Sequence, residues 1–428
     1  MRPAHDCGRA FARPRGSITR GRHRARTRFT VVAGLAAGLA GAAGCTDTSR
    51  NLPTAPPRDS ASALNMAVLA MLGGPLPGLN AAERAQFARG AKVFADSFGV
   101  AQGIGPLFNG FYCSDCHATP VSGGVGGDVE RHATAYRNGV CDPLTAQGGF
   151  VIQNQVVPAI TALYGLTSVP LPAGRTGVGL RTTPQVFGRG LLEAVPDGEL
   201  LAIARAERSN PDNIAGTPSI IGGHVGRFGR KANEATLTSF TGGAFINEMG
   251  VTNPLHPHEY GYIGGYAIPD SLMSHGLEVD SGRFNDAVAF MRYLAPPPPK
   301  PPTRETQTGA FAFRTAGCTG CHVQTLYTGW SPVSALRNQR VNAYSDLLLH
   351  DMGSGLADIC LNGATPSQFR TEPLMGISER TTYLHDGRAK TLEQAILLHG
   401  GQASISRERF NRLPPAQRAA ILAYVGSL

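Results

Sequence analysis

The sequence predicts a mainly α fold built from two similar halves, on three observations. The signature Cys-x-x-Cys-His occurs twice, at Cys113-Ser114-Asp115-Cys116-His117 and at Cys318-Thr319-Gly320-Cys321-His322. Apolar residues at helical spacing precede each copy, and a second such stripe closes each half. Between the halves stands Ala295-Pro296-Pro297-Pro298-Pro299-Lys300-Pro301-Pro302, which must run extended and can join neither a helix nor a central strand.

Residues 1–44 read as an export signal outside the fold. Residues 1–28 hold nine Arg and one acid, Asp6, and Phe29 to Gly44 carry no charge. A basic stretch followed by a small-residue apolar run is a secretory signal, too short to be a stable membrane span. The run ends at Leu39-Ala40-Gly41-Ala42-Ala43-Gly44-Cys45, which resembles a bacterial lipoprotein site with Cys45 as the lipidated residue, although Ala42 replaces the usual large aliphatic. The alternative is plain cleavage after the Ala-rich stretch. Either way the folded part is expected in the periplasm or cell envelope, touching membrane only through a lipid anchor. Without residues 1–28 the formal charge falls from +9 to +1, so basicity gives no case for a nucleic acid partner.

Residues 45–78 form a Pro-rich tether, followed by two expected domains, 79–294 and 304–428, joined by the linker 295–303. The first opens with a helix from Ala81, with Asn80 as cap, Glu83 three residues on, and Phe87, Ala91 and Phe94 on one face. It closes with a helix over Ser281 to Leu294, striped by Phe284, Val288 and Met291. The second repeats this order with Thr306 to Thr315 before its motif and Pro414 to Leu428 after it, where Pro414 and Pro415 suit a first turn. With 54 Gly and 31 Pro, the rest is expected as long loops, part of it an insertion in the first domain. A fainter repeat links Arg181-Thr182-Thr183-Pro184 to Arg370-Thr371-Glu372-Pro373, and Gly229-Arg230 to Gly387-Arg388.

The motifs define the chemistry. Cysteines three apart lie on one turn, where both sulfurs reach the vinyl groups of a haem while the next imidazole coordinates its iron. A zinc ribbon does not fit, because the pairs stand 205 residues apart and zinc does not require the following His. A redox Cys-x-x-Cys needs a thioredoxin-like pattern that is not visible. Each half therefore reads as a cytochrome c-like domain with one covalent haem c, held by Cys113, Cys116 and His117 or by Cys318, Cys321 and His322. Of the remaining cysteines, Cys141 and Cys360 could pair or remain separate buried thiols.

What fills the second axial position decides between electron transfer and chemistry. For the second haem the candidate is His399, on a helix expected from Thr391, because Leu392, Ala395, Ile396 and His399 share one face; Met352 is the alternative. The corresponding helix of the first half, near Leu237, has Ala244 at that register. One turn on, Glu248 could move protons beside an open iron, whereas Met249 would close it. Trp330, the lone tryptophan, is read as core packing or as an electron relay.

With these residues in place, 80–428 resembles the bacterial di-haem oxidoreductase family, also labelled thiol oxidoreductases. That family is related to di-haem cytochrome c peroxidases and to the di-haem enzyme that matures methylamine dehydrogenase. The resemblance is carried by Gly226-Arg227-Phe228-Gly229-Arg230-Lys231-Ala232, by Phe245 to Pro254, by Tyr344 to Asp358 and by Tyr383-Leu384-His385-Asp386-Gly387-Arg388-Ala389. It implies a distal-ligand role for His399, where relatives carry Met or Tyr, and an acid-base role for Glu248. His132 is a loose counterpart of the peroxidases' distal His. The resemblance also implies peroxide or another small oxidant as substrate, a small redox protein as electron partner, and a calcium between domains whose ligands are not placed. The rival readings are a non-enzymatic di-haem electron carrier and a haem-bearing assembly or docking lipoprotein.

Overall fold

The computed structural model describes residues 72–428, so the export signal, Cys45 and most of the tether lie outside the described residues. The chain is mostly helical, with small sheets. Helices α1 (Ala81–Ala95), α2 (Leu237–Met249), α3 (Ser281–Tyr293), α4 (Arg304–Thr315), α5 (Leu392–Leu397) and α6 (Pro415–Val425) carry the framework. Asn80 accepts from the Glu83 amide at 2.9 Å while Glu83 accepts from the Asn80 amide at 2.8 Å, which starts α1 where the sequence expects it. Helix α4 starts at Arg304, ahead of the expected Thr306, because Thr303 and Thr306 cap each other in the same reciprocal way.

The two ends of the molecule use one packing device. Helix α1 packs on α3 and α4 packs on α6. A Cβ on Gly90 would collide with the Asp286 carbonyl, and one on Gly309 with the Ala420 carbonyl. A glycine inside a helix costs about 0.5–1 kcal/mol, and here it lets each pair cross at backbone distance. Four residues after each glycine comes a Phe facing the nearby motif. The Phe94 ring lies 5.9 Å from the His117 ring and the Phe313 ring 6.3 Å from that of His322.

The strands were not expected. Strand β1 (Val129–Arg137) is the centre of a four-stranded antiparallel sheet and pairs with β2 (Val140–Asp142), β3 (Val151–Ile152) and β4 (Gly177–Thr182). Its register sets Ala135 against Asp142, Arg131 against Ile152 and His132 against Gly179. The four consecutive residues His132 to Ala135 are all buried, so alternation is lost and the period-2 signal with it. A second pair, β5 (Leu349–Asp351) and β6 (Gln368–Arg370), matches His350 with Phe369.

The core does not divide at the polyproline run. Leu326, Leu336, Val341 and Leu347 belong to the same buried cluster as Phe94, Phe187 and Phe290, and a smaller cluster holds Phe313, Phe410 and Ile421. The run is strapped down at both ends, by Ala295 N to Gly74 O at 3.0 Å and by Lys300 N to Ser427 O at 2.9 Å. Cys141 and Cys360 form a disulfide, which ties β2 to the second half across 219 residues of sequence. Among the described residues, no helix is long and apolar enough to cross a membrane.

Candidate functional site

Each Cys-x-x-Cys-His segment lines its own cleft. In both, the His amide donates to the carbonyl of the first cysteine at 3.0 Å, closing one turn that turns the cysteines and the imidazole to the same cleft. His117 Nδ1 lies 3.3 Å from Gly124 O and His322 Nδ1 lies 2.9 Å from Tyr344 O. A proton on Nδ1 satisfies each carbonyl and leaves Nε2 bare as a ligand atom. Burial drives both rings down to about 4, so they are neutral at neutral pH. Burial also pushes the thiols of Cys113, Cys116 and Cys318 up to about 12. The clefts enclose about 1910 Å³ and about 1400 Å³ of space between atoms, solvent at their mouths included, and the largely apolar lining and donor set fit a haem in each.

The first cleft adds three titratable groups. Helix α2 and strand β1 bring Glu248 and Glu130 carboxyl to carboxyl. Burial, then the neighbouring Glu130 charge, raises Glu248 well above the usual carboxylate range, and burial raises Glu130 as well. Asn109 Nδ2 donates to Glu248 Oε2 at 2.8 Å. His132 Nε2 stands 2.7 Å from Glu130 Oε1, out of line for a hydrogen bond, and burial lowers it to about 3. Met249 lines the same cleft, buried among core residues.

The second cleft has a different set. His399 lies two residues beyond the end of α5, where the chain leaves the helix, yet it lines the cleft together with Leu392, Ala395 and Ile396. Its Nδ1 sits 2.7 Å from Ala395 O, which again leaves Nε2 bare, and burial lowers its pKa. Met352 lines this cleft too. Behind Cys321, His350 lies with Nε2 2.8 Å from Asp346 and Nδ1 2.8 Å from Gln402 Oε1. Burial works against a charge there, but the Asp346 hydrogen bond lifts His350 to about 11. Both ring nitrogens thus face acceptors, which suits an imidazolium, and Cys321, Asp346 and His350 lie close together.

The family described as "Di-haem oxidoreductase, putative peroxidase" matches residues 173–428. The chain belongs to the di-haem oxidoreductase family. The family implies two haems, and the matched region contains the second motif, Glu248 and His399, while the first motif precedes it. Among solved structures, the chain is similar to hydrazine synthase of Kuenenia stuttgartiensis, determined under 20 bar of xenon, at 14% identity over 95% of this chain and 100% of that one, with a TM-score of 0.37. It is also similar to a MauG-like protein associated with microbial copper homeostasis, at 15% identity over 83% and 92%, with a TM-score of 0.36. No curated protein matches it.

Between its clefts this di-haem oxidoreductase builds a charged wall that sequence reasoning missed. Arg189, Arg230, Arg370 and Arg380 all contact Glu372, at 3.3, 2.8, 2.7 and 2.6 Å. Burial opposes the Glu372 charge, but the four guanidiniums hold its pKa well below the usual range. Beside it, Asp358 pairs with Arg181 and with Lys231 at 3.1 Å. Lys231 is fully buried against the Phe369 ring and donates to the carbonyls of Thr365, Pro366 and Gln368. The signal that could have found this wall is the echoed Arg-Thr-x-Pro, since it places Arg181 at the end of β4 and Arg370 at the end of β6.

One expected role falls away. Trp330 is 77% exposed and lines neither cleft. It sits in the loop between Gly329 and Pro332 with the Arg337 guanidinium 5.6 Å from its ring, so it is not core packing.

Proposed function

We propose that this di-haem oxidoreductase is an exported peroxidase-like c-type enzyme with a reactive first centre and an electron-transferring second one. The observation carrying the reading is the unequal furnishing of the clefts: Glu130, Glu248 and His132 in one, His399 with a bare Nε2 in the other. Cys113, Cys116 and His117 would hold the first haem, and Cys318, Cys321, His322 and His399 the second. When bound, such a group supplies one-electron redox chemistry and, where an axial position is open, a place for peroxide.

What the chain itself adds is proton handling. Two buried carboxyls in contact cannot both ionise cheaply, so Glu130 and Glu248 favour sharing one proton, and both are raised above the usual carboxylate range. Asn109 orients Glu248 Oε2, and the neutral His132 does not compete for that proton. A carboxyl whose pKa is raised in this way can give its proton to a departing oxygen and take one back, as a general acid-base requires. The second cleft offers no carboxyl so free, because Glu372 is locked by arginines.

Peroxide as oxidant, a small redox protein as electron source, and a lipid tether at Cys45 belong to the same reading. Calcium does not fit the wall between the clefts, since the carboxylates facing it, Asp358 and Glu372, are already held by cationic side chains. The test is the optical and resonance spectrum of the purified protein with and without peroxide. One peroxide-responsive and one inert low-spin haem are expected; two six-coordinate haems inert to peroxide in every oxidation state would sink the reading.

A further inference from the structure

The buried wall carries more positive charge than its own carboxylates can match. Arg189, Arg230, Arg370 and Arg380 share Glu372, while Arg181 and Lys231 share Asp358, so cations outnumber the carboxylates that pair with them. His385, next to Asp358, adds none, since burial lowers its pKa to about 3. Buried guanidiniums that lack anions are costly. Two of them have unpartnered nitrogens: Arg181 Nη2 and Arg380 Nε are buried without a hydrogen bond in side chains at most 9% exposed.

The position of the surplus says what it awaits. Arg230 and Arg370 line both clefts, Arg189 and Arg181 only the first, and Arg380 only the second. An anion serving this wall must reach it from both sides, and carboxylates match guanidinium geometry with paired hydrogen bonds. A haem carries two propionates, so two haems would bring carboxylates to this surplus from both clefts.

We infer that the Arg181–Arg189–Arg230–Arg370–Arg380 wall is a shared propionate seat, which turns the carboxylate edges of both haems toward one another and couples their potentials through Arg230 and Arg370. This rests on the reading that each cleft carries a haem. A positive charge near a haem favours its reduced state, so removing it lowers the midpoint potential. The wall's layout then predicts a pattern that a merely structural arginine would not produce.

The test is an optical redox titration of the holoprotein, resolving the two haems. Arg230→Gln is expected to lower both midpoint potentials, Arg189→Gln mainly the first and Arg380→Gln mainly the second, while Arg230→Lys stays near wild type. If Arg230→Gln moves only one potential or neither, or if Arg189→Gln and Arg380→Gln act alike on both haems, the shared seat is wrong. Should Arg230→Gln not fold, the contrast between Arg189→Gln and Arg380→Gln decides alone. The underlying reading fails separately, as fewer than two haems per chain in a haemochrome assay of the wild-type protein.

Discussion

The two clefts begin from one plan and end in different chemistry. Each has a glycine-crossed helix pair, a Phe against the motif imidazole and a backbone carbonyl fixing its Nδ1. They part in what the following segments bring in. Strand β1 carries Glu130 and His132 into the first, against Glu248 at the end of α2, whereas the turn after α5 carries His399 into the second. A haem module is thus specialised by the loops and strands added around it, not by the motif.

The strongest way to break this comparison is Glu248→Gln. If the shared proton serves chemistry at the first cleft, peroxide turnover falls by about 10²- to 10⁴-fold while the second haem's spectrum is unchanged; steady-state kinetics alongside optical spectra would show a retained rate if the carboxyl pair were only structural. Next in size is His399→Ala, which should convert the second, low-spin haem to high spin in resonance spectra and leave the first haem as it was. An unchanged spectrum excludes His399 as a ligand, and Met352 becomes the residue to substitute.

A smaller effect separates the clefts by pH. His350, raised from 6.5 to about 11 in the folded protein, contributes stability that is complete below pH 6.5 and fades as pH rises toward 11. Thermal unfolding of His350→Gln against the parent should show its largest Tm gap near pH 6 and a shrinking gap at alkaline pH. A gap independent of pH would mean the imidazolium is not what Asp346 holds. Least affected is Trp330→Ala, which belongs to neither cleft: the change in stability is expected within about 0.5 kcal/mol, both haem spectra staying put.

Local chemistry alone made much of this legible. The cysteines and histidine of each motif lie within five residues, so their spacing is their geometry, and the helices before and after each motif show in period and caps. His399 was legible from its register with Leu392, Ala395 and Ile396, even though the helix stops at Leu397, because its amide still donates to Ile396 O at 3.1 Å. Trp330 misled because a large aromatic is usually buried, and nothing local shows that its loop runs over the surface.

The sequence by itself determined two Cys-x-x-Cys-His motifs, the helix pairs that frame them and a histidine, His399, that lines the second cleft, all set by contacts within a few residues. Only the tertiary structure decided that Glu130 meets Glu248 across 118 residues of chain, that Cys141 joins Cys360, and that five arginines from distant segments converge between the clefts. Charge pairing and disulfide formation act at contact distance, whatever the separation along the chain, and contact at that range is a property of the packed core.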